Sequence, residues 1–184
     1  MMKRVLVLLL AAPMAFAQAP AVKAPPTLRS VLLAQLRSTH NKAEWFVPIN
    51  TAIAGLTPEQ AKWVPPAMAK NDPLGSHSAG QLAYHLWFWD NESLKGLRGE
   101  KGANVKDNNE TFNNFDEKSW AELQVKLDTV LTELEKWVET ADEASLLKNA
   151  GTIAHIGTHN AYHVGQILYV RKLAGNWDPK KGVQ

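Results

Sequence analysis

The sequence predicts an all-α protein, a four-helix bundle with a long crossover between the second and third long helices. Three observations carry this. Apolar residues recur at three- and four-residue steps in four separate stretches, and nothing comparable alternates at the two-residue period of a strand. The connection from Arg98 to Lys118 also far exceeds the roughly two to eight residues that join antiparallel neighbours, so it can cross to the far side of a bundle.

The elements follow in chain order. Thr27 can cap a first helix whose apolar positions Val31, Leu32, Leu36, Ala43, Val47 and Ile49 form one face, with an end expected near Gly55. Thr57-Pro58-Glu59-Gln60 opens a short helix with proline at its first position, and Pro65-Pro66 is expected to stop it. A second long helix starts near Ser76 or Ser78, carries Leu82, His85, Leu86, Trp89 and Leu94, and fades at Gly96 and Gly99. The crossover is rich in Asn, Gly and charge, with Phe112 and Phe115 as points of attachment. Ser119 and Glu122 read as a capping box before the clearest stripe in the chain, Trp120, Leu123, Leu127, Val130, Leu131, Leu134 and Trp137. The last helix spans about Leu146 to Leu173, with Gly175 as its left-handed cap and Pro179 beyond it. Gly151, Gly157 and Gly165 inside it each cost up to about 1 kcal/mol of helix propensity, which a close helix contact would offset.

The chain has 184 residues, 45% of them hydrophobic and 21% charged, and no cysteine. That suits one domain and excludes disulfides, thiolate metal sites and cysteine nucleophiles. Residues 1–17 carry Lys3 and Arg4, a short apolar run and the small-residue pattern Ala15-Phe16-Ala17, the features of a cleaved signal peptide. The run is too short for a transmembrane anchor, which needs about 20 apolar residues, so no stable membrane insertion is expected after cleavage. Residues 18–27 then form a flexible lead-in, 28–175 the domain and 176–184 a tail. Cleavage removes two of the 20 basic residues and none of the 18 acidic ones, so the mature chain is formally neutral. It lacks the basic patch of a nucleic-acid binder. A periplasmic or secreted bacterial location is expected.

With no thiolates, any metal falls to histidine and carboxylate. His159 and His163 are four apart, hence about 40° around a helix and 6 Å along it, and can reach one ion from the same side. His155 is about 12 Å along the axis from His163 and does not easily share that ion. His85, on an apolar face between Leu82, Leu86 and Trp89, is the strongest third ligand. Three imidazoles meeting in a bundle interior need a reason to be buried there; partnering with acids or water is the simpler alternative for each alone. His40 and His155 are candidates for the ring of groups around the ligands, His40 also as a fourth ligand, and His77 belongs to a turn. Asn160, Tyr162 and Gln166 are candidates for orienting ligands or substrate. Glu44 and Glu92 are weak candidates for a catalytic base, and each reads more simply as a solvated helix residue. One of Trp87 and Trp89, which point in different directions, is expected at a pocket, over the metal or in a dimer contact.

At these residues the chain resembles the DinB/YfiT-like family of metal-dependent four-helix-bundle proteins. The family pattern sets a histidine early in the second helix and a histidine pair before Gly-Gln in the fourth, which corresponds here to His85 and to His159-xxx-His163-Val164-Gly165-Gln166. The resemblance covers roughly Leu28 to Gly175. It implies a three-histidine centre for a divalent metal, zinc first with nickel, iron or manganese as alternatives, and a homodimer. Some relatives transfer or isomerise small substrates with low-molecular-weight thiols; the export signal departs from that setting. The expected function is an exported metal-binding protein acting as a small-molecule hydrolase or transferase through an open coordination position. The alternatives are a non-enzymatic metal-binding or interaction module and a small-ligand-binding protein.

Overall fold

Thr27 starts the first helix of the computed structural model, which describes residues 25–71 and 75–182. The expected signal peptide, and the lead-in up to residue 24, lie outside the described residues. Thr27 and Ser30 cap each other's backbone in a reciprocal box and open α1, Leu28–His40. The helix is shorter than expected. Asn41 leaves helical geometry, and Pro48, which has no N–H to donate and disfavours helix at Val47, restarts the chain as a separate short helix α2, Ile49–Ile53. Val31, expected on the buried face, is 52% exposed, and Ala43 lies in the exposed break.

The next cap behaves as read. Thr57 and Gln60 form a capping box around Pro58 in α3, Pro58–Ala61. Pro66 does not merely end that turn; it begins α4, Pro66–Asn71, because the missing N–H costs nothing in a first turn. Ser78 and Gln81 cap α5, Ala79–Leu97, and Gly99 then reverses the chain at φ 74°. Within the crossover lies α6, Glu110–Asn113. Its Phe112 is buried, and Phe115 packs over Gly80, where a Cβ would come within 2.3 Å of the ring.

The third long helix, α7, Trp120–Thr140, lacks the expected Ser119 cap. A tight turn over Glu117–Ser119 precedes it, capped by Asp116, and Ser119 Oγ instead donates to the Asp116 carbonyl at 2.8 Å. The stripe of Leu123, Leu127, Val130, Leu131 and Leu134 is buried throughout, each residue contributing about 1.5–3 kcal/mol. Trp120 is buried with its indole N–H on the Leu56 carbonyl at 2.9 Å. Asp142 caps α8, Glu143–Leu173, and Gly175 closes it at φ 69°.

α1 and α5 each pack against both α7 and α8, so α1 and α5 take opposite corners of the bundle. Arg29 ties the start of α1 to the α7–α8 turn through the carbonyls of Val138 and Ala141 and through Glu143. At the other end Arg171, buried on α8, donates to the Ala52 carbonyl at 2.6 Å and to Asn176, which returns the first tail residues to the bundle. No helix among the described residues is long and apolar enough to cross a membrane.

Candidate metal centre

Helical spacing brings three imidazoles to the α5–α8 seam. His85 follows Leu82 by three residues and precedes Leu86, so the buried stripe of α5 carries its ring inward, and it is 4% exposed. His163 is buried in the same way between Asn160 and Val164 on α8, while His159 is half-buried one turn earlier. One ligand nitrogen from each of the three lies within 4.8 Å of the other two.

Neighbouring groups set which nitrogen each ring presents. Thr111 Oγ1 gives its one proton to the Asn108 carbonyl at 2.6 Å, so it must accept from His85 Nδ1 at 2.6 Å. His163 Nδ1 donates to Gln166 Oε1 at 2.6 Å, and the Gln166 amide is oriented by donating to Tyr162 Oη at 3.3 Å. Both rings therefore turn an unprotonated Nε2 toward the cluster. His85 Nε2 and His159 Nε2 are 3.2 Å apart, close to the separation of about 3.3 Å between two nitrogens bound to one tetrahedral ion. Lone pairs at that distance repel unless a proton or a cation lies between them, so the donor set fits a divalent ion.

The charge states agree with this. Burial, followed by the charges of His163, His159 and His77, pushes His85 down to about 3. Burial and then His159 push His163 down to about 4 against its hydrogen bond to Gln166. His159 is lowered by burial against the influence of the Asn160 amide. All three are neutral near pH 7, the form that ligates metal.

The cluster forms one wall of a cavity of about 580 Å³, whose other walls include Trp89, Asp90, Ser93, Phe112, Thr152 and Ile156. Phe112 is stacked between His77 at 3.8 Å and His85 at 3.9 Å, ring centre to ring centre, so the crossover covers one side of the imidazoles. At 580 Å³ the space falls within the roughly 300–1,000 Å³ of small-molecule sites.

The remaining candidates scatter. His155 lines the cavity from an exposed position but is not among the clustered nitrogens. Gln166 touches His163 directly. His40 is buried elsewhere, held by Glu135 Oε1 at 2.6 Å and Asp128 Oδ1 at 2.9 Å on α7. Burial alone would lower its pKa, but the two carboxylates raise it. Glu44 pairs with Lys42 at 2.6 Å, and Glu92 binds Lys95 and the Ala103 N–H of the crossover; neither lines the cavity. Trp89 does line it, whereas Trp87 packs on the core beneath Lys126.

Asp90 and Thr111 escaped sequence reasoning. Asp90 did leave a signal: Leu82, Leu86, Asp90 and Leu94 are spaced by four and all buried, so a carboxyl interrupts an apolar row. Its Oδ2 accepts from Asn160 Nδ2 at 3.1 Å. Thr111 left none, because only the path of the crossover brings it to His85.

Searches of curated proteins and of solved structures gave no match. The profile described as the DinB superfamily matches residues 49–167, which is more than half of the chain and spans all three clustered histidines. By that match, by its all-α bundle and by its histidine cluster, the chain belongs to the DinB superfamily.

Proposed function

We propose that this chain is an exported metal-binding protein of the DinB superfamily and a small-molecule metalloenzyme, a hydrolase or transferase, with His85, His159 and His163 as ligands to a divalent ion, zinc first. The observation that carries this reading is the convergence of three neutral imidazole nitrogens within 4.8 Å on the wall of a ligand-sized cavity. An ion there supplies a Lewis acid facing the cavity. The protein's own part is to hold the Nδ1 protons of His85 and His163 on Thr111 and Gln166, leaving Nε2 free, and to line the cavity with the apolar surface of Trp89, Phe112 and Ile156. Three protein ligands leave a position open for water or substrate, as in catalytic rather than closed structural sites.

Metal analysis of untagged protein tests this. Close to one equivalent of divalent metal is expected, with at least about a hundredfold loss of zinc affinity in His159→Ala and His163→Ala. Undiminished binding in both variants would reject the ligand set, and metal-loaded protein inert toward esters, amides and thiol adducts would favour a binding module. Export rests on residues 1–17 and is checked by fractionation, with mature chain in the cytoplasm counting against it. A homodimer is supported by the exposed Leu147, Tyr162, Tyr169 and Leu173 along α8 and is checked by sedimentation equilibrium.

A further inference from the structure

The cavity holds a second titratable group that the histidine centre does not use. Asp90 is 1% exposed, yet it lines the cavity beside the cluster. Among the described residues no lysine or arginine joins that wall, and the one hydrogen bond Asp90 receives comes from the neutral amide of Asn160, at 3.1 Å on Oδ2. With no ion on the histidine cluster, an ionised carboxylate there would be buried with no cation among its contacts, a state that proteins avoid by keeping the proton. Burial lifts its pKa well above the ordinary carboxylate value, and neither the Asn160 hydrogen bond nor the charge of His40 on α1 cancels that.

A neutral carboxyl has one O–H to give. Oδ2 is occupied as an acceptor, and the Asn160 Oδ1 that could have taken the proton has no partner within hydrogen-bond distance. The donor is therefore available to the cavity, where Trp89, Phe112 and Ile156 offer apolar surface beside it.

We propose that the cavity takes a neutral, partly apolar small molecule bearing a carbonyl-type acceptor, and that Asp90 in its uncharged form donates the hydrogen bond that orients it. This rests on the cavity being the ligand site of the proposed function and holds for the metal-free chain, because a divalent ion on the cluster would favour the ionised carboxylate.

Benzamide and benzamidine have the same shape, but one presents a carbonyl acceptor and the other a cationic donor. Titrating each into the full chain, stripped of metal and followed by amide chemical shifts, reads the state of Asp90. Benzamide is expected to bind at least about tenfold more tightly than benzamidine. Asp90→Asn keeps a neutral donor and should hold benzamide within about twofold, whereas Asp90→Ala should weaken it about tenfold or more. Tighter binding of benzamidine, no binding of benzamide, or a loss in folded Asp90→Asn equal to that in Asp90→Ala would each overturn the proposal. Zinc uptake measured separately on the same preparations keeps the two readings apart: its absence in the unmodified chain rejects the histidine ligand set and leaves the Asp90 result standing.

Discussion

Thr111 has a single hydroxyl proton, and by giving it to the Asn108 carbonyl it becomes an acceptor for His85 Nδ1. That small commitment decides which nitrogen His85 offers. Thr111→Val removes the acceptor with little change in volume, and zinc affinity measured by competition with a chromophoric chelator should fall about tenfold to a hundredfold. Thr111→Ser should restore most of it, an outcome that separates hydrogen bonding from packing. Gln166 plays the corresponding part for His163. Its place three residues further along the same helix made it visible in the sequence, whereas the partner of His85 sits 26 residues away in the crossover.

The glycines of α8 show what an element's sequence does and does not reveal. All three read as costs that a close helix contact would offset, and the contact exists only at Gly157, where a Cβ would lie 2.7 Å from Gln35 Cγ on α1. Gln35 in turn donates to the Ala154 carbonyl at 3.2 Å. Gly151 and Gly165 face open space. In chemical denaturation Gly151→Ala should therefore stabilise the protein by up to about 1 kcal/mol. Gly157→Ala gains the same propensity but displaces Gln35, and overpacking of about 1–3 kcal/mol should leave it less stable. Propensity is a property of one residue in one helix; the opposite signs come from the neighbouring helix.

Across the whole molecule, His40 joins α1 to α7 by bridging Glu135 and Asp128. Its folded pKa is raised above the ordinary 6.5, so its contribution is complete below 6.5 and is lost as pH rises through the folded value. Asp128, lowered from 3.8 chiefly by its hydrogen bond to His40, contributes above 3.8 and loses that contribution as pH falls through its folded value. The clamp is strongest between those limits. His40→Gln should cost about 2 kcal/mol near pH 6, a figure reduced for the exposure of Asp128, and the gap from the unmodified protein should narrow as pH rises well above 7. Urea denaturation at several pH values checks this, and a gap that widens toward alkaline pH would show that His40 is held neutral.

The fold class, the approximate course of the helices from α5 onward, and the His159–His163 pair are consequences of local spacing: period and cap chemistry act within about one turn, and that range is legible in a linear text. The break after His40 was also written locally, in Pro48, but the apolar residues on either side of it imitate one continuous face. Other features depended on packing alone. Thr111 reaches His85 because the crossover folds over α5. Asp90 meets Asn160 because α5 lies along α8, and His40 finds two acids on α7 instead of the cluster because α1 and α5 occupy opposite corners. A residue's chemistry and helical phase belong to the sequence; which groups share a low-dielectric interior is decided by the contacts between helices, where the cost of an unpaired polar group selects its partner.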